Sequence, residues 1–151
     1  MSPVRRRGLN ARDDDGSMLL LTMCYACISL ALILVVVAAT SLYLERKRLF
    51  TLADGAALAA AEAFALDSVE VSATGAAPVL RSSDVAAAVR DYLAAAPHAG
   101  FDGLTVSRAA SVDGRSATVS LSATWRPPVL AFVLPAGVPL EVTAVARSVF
   151  G

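Results

Sequence analysis

Hydrophobic and polar positions change rhythm twice along this chain, and each rhythm predicts a different element. The first stretch, Met18 to Leu44, has no rhythm: MLLLTMCYACISLALILVVVAATSLYL is 27 residues without a charge, a histidine, a proline or a glycine. As an α-helix it would cover about 40 Å at 1.5 Å per residue, whereas a bilayer core of about 30 Å needs about 20 apolar residues. A helix satisfies its own backbone groups in lipid and a lone strand does not, so the run predicts one transmembrane helix. From Glu45 the sequence ERKRLFTLADGAALAAAEAFAL is rich in helix formers and holds no proline or turn cluster, so the helix is expected to continue. Leu49, Leu52, Ala56, Ala59, Ala63 and Leu66 recur at steps of three and four and would share a face. Gly55, Ala59 and Ala63 make a ridge of small residues, against which either its own domain or another helix could pack closely.

The pattern breaks from Leu66 to Pro78, where Val69, Val71 and then Thr74-Gly75-Ala76-Ala77-Pro78 read as a short strand or loop. Ser83-Asp84 then caps a second helix, VAAAVRDYLAAAP, ending at Pro97, with Val85, Val89, Tyr92 and Leu93 as its inward stripe. After that the period becomes two. Leu104, Val106 and Arg108 alternate, Asp113-Gly114 supplies a hairpin turn, and Ala117, Val119, Leu121, Ala123 and Trp125 alternate again. Pro127-Pro128 ends that strand. A last strand carries Leu140, Val142, Ala144 and Ala146 on one face. Pro128 to Pro135 holds an apolar segment between prolines, either a buried crossover or an exposed contact patch.

Charge and chemistry narrow the function more by what they lack. Thirteen Lys and Arg balance thirteen Asp and Glu, which argues against a nucleic-acid partner. Cys24 and Cys27 both fall in the apolar run, where a thiolate is costly, so the CxxC spacing reads as packing. His98, the single histidine, has only Asp91 and Asp102 near it in sequence, too loose a set for a metal site. Asp67 and Glu70 are a pair by spacing alone. Asp13, Asp14 and Asp15 read as a solvated tail, and Asp91 with Arg90 or Arg81 as solvated surface. No nucleophile-elbow, Walker or dinucleotide-binding pattern occurs. No catalytic, cofactor-binding or metal residue is assigned, and no small-molecule substrate is expected. Arg5, Arg6, Arg7 and Arg12 precede the run, while Arg46, Lys47 and Arg48 follow it at lipid head-group depth. Four basic residues against three point the N-terminus to the cytoplasm.

Gly16-Ser17, the apolar run, Tyr43-Leu44-Glu45-Arg46-Lys47-Arg48-Leu49 and Ala53-Asp54-Gly55-Ala56-Ala57-Leu58-Ala59-Ala60-Ala61 together resemble the N-terminal signature of TadE/TadG-like proteins. These are components of tight-adherence (Flp-type) pilus assembly in bacteria. The resemblance covers roughly residues 12–65 and implies a non-enzymatic assembly role. Relatives that are processed are cut after a glycine and carry a glutamate five residues into the mature chain. With Gly16 as that glycine, Leu21 holds the glutamate position, and the uncleaved, anchored type is the better match.

The expected fold is α+β: a single N-terminal transmembrane helix extending into a small, pilin-like domain with a second helix and an antiparallel sheet of about three strands. Its expected divisions are a cytoplasmic tail (1–17), a transmembrane helix (18–44), a membrane-proximal alanine-rich helix (45–66) and an extracytoplasmic α+β domain (67–151). Expected partners are the lipid bilayer and other single-span or polytopic pilus-assembly membrane proteins, at the plasma membrane. The alternative is a secreted or envelope-associated binding domain, released by signal-peptidase cleavage at Val37-Ala38-Ala39.

Overall fold

The computed structural model describes residues 11–63, 69–72, 75–96, 100–127 and 135–147, with side chains from Gly16 onward except those of 69–78. Two units divide the chain, the first ending at Ala39 and the second beginning at Thr40. The longest element, α1 (Ala11–Glu62), carries the uncharged run. In the first unit its apolar side chains, among them Leu20, Met23, Ile28 and Ile33, are exposed. This is a far larger apolar surface than a water-facing helix shows, and the window is long and apolar enough to cross a membrane.

The second unit is α+β. After α1 come β1 (Val69–Ser72) and β2 (Gly75–Pro78), paired antiparallel. Then follow α2 (Ser82–Ala95), β3 (Asp102–Ala110), β4 (Ser116–Trp125) and β5 (Val138–Arg147). The last three form an antiparallel meander in the order β3-β4-β5, which is the second helix and three-stranded sheet expected from the sequence. The segment read as strand or loop between Leu66 and Pro78 thus holds a two-stranded hairpin.

Along β4 the side chains alternate between two faces, and of the outward ones Ser120 alone is buried. Ala117, Val119, Leu121, Ala123 and Trp125 are all buried, while Thr118, Ser122 and Thr124 turn the other way and are only half-buried. Hydroxyls link neighbours on that polar face, Thr105 to Ser122 at 2.7 Å and Ser120 to Thr143 at 2.8 Å. The apolar face meets Leu49, Ala53, Ala56 and Ala60 of α1, Val85 and Val89 of α2, and Val142 and Ala144 of β5 in one core. Alanine on α1 leaves little side chain between helix and sheet, so each methyl contributes little and the few large residues carry most of the burial.

Three local expectations are corrected. The buried face of α1 runs through Leu49, Ala53, Ala56, Ala57, Ala60 and Ala61, whereas Leu52 and Ala59 lie at its margin, half-buried. Helix α2 begins at Ser82 with Arg81 at the N-cap position and no side-chain cap. Ser83 Oγ instead donates to Asp84 Oδ1 at 3.1 Å, and Ser82 Oγ donates to Ser111 O at 3.1 Å, pinning the helix start to the end of β3. Strand β3 has register irregularities between Asp102 and Thr105 and between Val106 and Arg108. The second of these adds a residue, so Arg108 pairs with Ser120 on the polar face and Ala109 takes the inward place opposite Val119.

The turn at Asp113-Gly114 is built as expected. Gly114 has φ +68, a left-handed conformation that glycine adopts without strain. Asp113 Oδ1 accepts from Ser116 Oγ and Ser116 N at 2.7 Å each, and from Arg115 N at 3.0 Å. Donors to the ionised form hold the Asp113 carboxyl well below the usual carboxylate range, the Ser116 hydroxyl contributing most.

Candidate interaction surfaces

What the second unit offers is a set of surfaces on and beside the membrane-proximal part of α1. Arg46, Lys47 and Arg48 are all exposed there. Arg48 reaches Glu45 at 4.0 Å, a weak surface pair that leaves most of the positive field open. A depression of about 580 Å³ adjoins them. Leu44, Lys47, Arg48 and Leu52 line it from α1, and Tyr92 and Phe101 line it from the far side. Glu45 and Thr51 line it as well, so charged side chains of both signs meet apolar ones in one place, which suits an amphipathic ligand beside the long basic stems.

The small-residue ridge is partly occupied. A Cβ added at Gly55 would lie 2.8 Å from Tyr92 Cζ and closer still to its hydroxyl, so α2 of the same unit fills the approach that glycine opens. Close packing on its own domain is therefore what Gly55 provides. Residues with this role are found only from tertiary structure, since Tyr92 lies 37 positions further along the chain. Elsewhere on this helical segment Tyr43, Phe50 and Leu58 are exposed.

Trp125 closes the core at the end of β4, and its Nε1–H donates to Ser41 Oγ at 3.4 Å. It is a buried aromatic tied to the start of the unit. Cys24 and Cys27 are free and exposed on α1. His98, Asp67 and residues 128–134 of the proline-bounded segment lie outside the described residues, as do the side chains of Glu70 and Asp13 to Asp15. Among the described residues no group of three or more His, Cys, Asp or Glu is placed to hold a metal ion.

A long apolar N-terminal helix with a basic border, joined to a small α+β unit, fits the class of single-pass anchored envelope proteins. Residues 16–63 match the family model Tad, described as "Putative Flp pilus-assembly TadE/G-like". The match spans 48 of the 151 residues and coincides with the segment whose ordered signature the sequence shows. It supports a role in Flp pilus assembly, with protein partners in that system. No curated protein and no solved structure matches the chain.

Proposed function

We propose that this chain is a membrane-anchored, non-enzymatic component of a Tad/Flp-type pilus assembly or a related secretion system. Residues 18–44 are the span, with 1–17 in the cytoplasm and 67–151 outside the plasma membrane. Residues 45–66 carry the helix from the lipid into the domain. The observation that carries this reading is the family match over residues 16–63. It takes in the apolar run, the basic cluster and the alanine-rich segment in their order.

The protein works by holding and positioning. The apolar run buries itself in lipid, where its exposed leucines and valines stop costing free energy. Arg46, Lys47 and Arg48 meet anionic head groups at the boundary, and the depression beside them gives one acyl chain or head group a partly enclosed seat. Exposed Tyr43, Phe50 and Leu58 offer contact to other single-span or polytopic assembly proteins. Affinity purification of the full-length chain from detergent-solubilised membranes tests this. Recovery of a secretion ATPase, its polytopic platform proteins or other short single-span proteins is expected, and recovery of the bait alone would overturn it.

One observation favours a second reading, release by cleavage near Ala39. Ser41, which holds Trp125, and the entire core from Leu49 onward lie C-terminal to that point. A chain beginning at Thr40 would keep these interactions and act as a soluble binding domain.

A further inference from the structure

The sheet ends in two unlike edges. On β3 the ladder is interrupted by two register irregularities, a device that blunts an edge against further pairing. Strand β5 pairs with β4 over ten consecutive positions without an irregularity, and among the described residues nothing pairs with its other side. Such an edge is a template for another strand. Pro139 sits near the start of β5, and proline is accommodated where its nitrogen faces away from the ladder. Alternation then turns the backbone groups of Glu141, Thr143, Val145 and Arg147 to the same open edge. All four side chains are exposed on the polar face.

The charges on this edge complement themselves. Turned antiparallel about a two-fold axis at Ala144, β5 sets Glu141 opposite Arg147 of a second copy and Arg147 opposite Glu141 of that copy. Thr143 faces Val145 in the same register, a β-branched pair that stabilises a sheet. A slip of two residues in either direction loses both charge pairs. Pro139 falls beyond the four pairs that run from Glu141 to Arg147, so its missing N–H costs the ladder nothing. A two-fold interface of this kind is closed and does not propagate.

We propose that the open edge of β5 pairs with β5 of a second copy in this register, joining two three-stranded sheets into one of six. Arg147 already lies 3.8 Å from Asp113, both well exposed. Exposed pairs of this sort exchange readily, and Arg147 is free to turn to Glu141 of the second copy. The self-matched charge pattern selects a copy of the same chain over an unrelated strand. The proposal does not depend on the pilus reading, since it is scored within pairs of this chain alone.

Disulfide cross-linking in membranes, on full-length chains carrying C24A and C27A to remove the native thiols, tests it. A hydrogen-bonded antiparallel pair sets its Cα atoms about 5.5 Å apart, within the roughly 4.4–6.8 Å that a disulfide spans. A T143C copy co-expressed with a V145C copy is expected to form a cross-linked dimer on oxidation, several-fold more than either copy alone. Adding E141R to both copies sets arginine opposite arginine and is expected to remove most of the dimer. Adding R147E as well restores it. Equal cross-linking in the mixture and in the single-site controls would overturn the proposal, and so would failure of the double charge reversal to restore the dimer. Association through the apolar helices alone changes none of these ratios, so it reads as the overturning result.

Discussion

Replacing Gly55 by alanine sets two effects of known sign against each other, and Tyr92 decides which one wins. In a helix interior alanine is favoured over glycine by about 1 kcal/mol, so on an open surface G55A would stabilise α1. Here the new methyl would sit 2.8 Å from Tyr92 Cζ and nearer still to its hydroxyl, while ordinary contact begins at 3.4 Å, so the ring must retreat by at least 0.6 Å. Tyr92 is half-buried against the core and does not retreat freely. Overpacking of this kind costs about 1–3 kcal/mol. Taking the middle of that range, G55A destabilises the domain by about 1 kcal/mol, or roughly 4 °C in Tm for a domain of this size. In a Y92A background the obstruction is gone and the same substitution stabilises by about 1 kcal/mol, a coupling of about 2 kcal/mol between the two sites. Trp125, the single tryptophan, is buried at the end of β4, and its fluorescence during thermal unfolding of the detergent-solubilised chain provides the assay. An effect of G55A with the same sign and size in both backgrounds would refute the packing argument.

Two further outcomes are expected from the same melts. Leu121 is fully buried, and L121A removes it from a core composed mostly of alanine and valine, costing about 3 kcal/mol. L21A, on the exposed apolar run, leaves the domain's midpoint unchanged, and equal shifts for the two variants would contradict this assignment of the core. Asp113 has its folded pKa lowered by the Ser116 hydroxyl and by the Arg115 and Ser116 amides. Its contribution to stability is therefore complete above the ordinary carboxylate pKa of about 4 and drains away as pH falls below it. D113N is expected to lower Tm at neutral pH and to flatten the decline below about pH 4, and an unchanged acid limb would contradict the turn's role.

How far the fold could be read in advance depended on contrast between neighbouring residues. On β4, serine and threonine alternate with alanine, valine and leucine, and each inward position was named correctly. The 27-residue uncharged run needed no pattern at all. Around Ala56, Ala57, Ala59, Ala60 and Ala61 contrast disappears, because alanine fits every side of a helix. The face expected from the spacing therefore lies about 90° from the buried one, sharing Leu49 and Ala56 with it but not Ala53, Ala57, Ala60 or Ala61. The irregularity at Val106–Arg108 leaves no local mark, since Ser107 suits either face. Likewise, Ser83-Asp84 resembles a cap, yet Ser82 is drawn to Ser111 by a tertiary hydrogen bond that helix rules do not contain. Of the interaction surfaces, the basic cluster was legible from its place after the apolar run. The Gly55–Tyr92 contact and the open edge of β5 exist only once the strands and helices are assembled.

Whether this protein stays anchored through residues 18–44 is tested most directly by its mass. The chain should be isolated from membranes by a C-terminal tag and measured intact, with the N-terminus sequenced by mass spectrometry. An unprocessed tail preceding Ser17 is the result expected for the anchored assembly component. A chain beginning at Thr40, recovered in the soluble fraction, would contradict it.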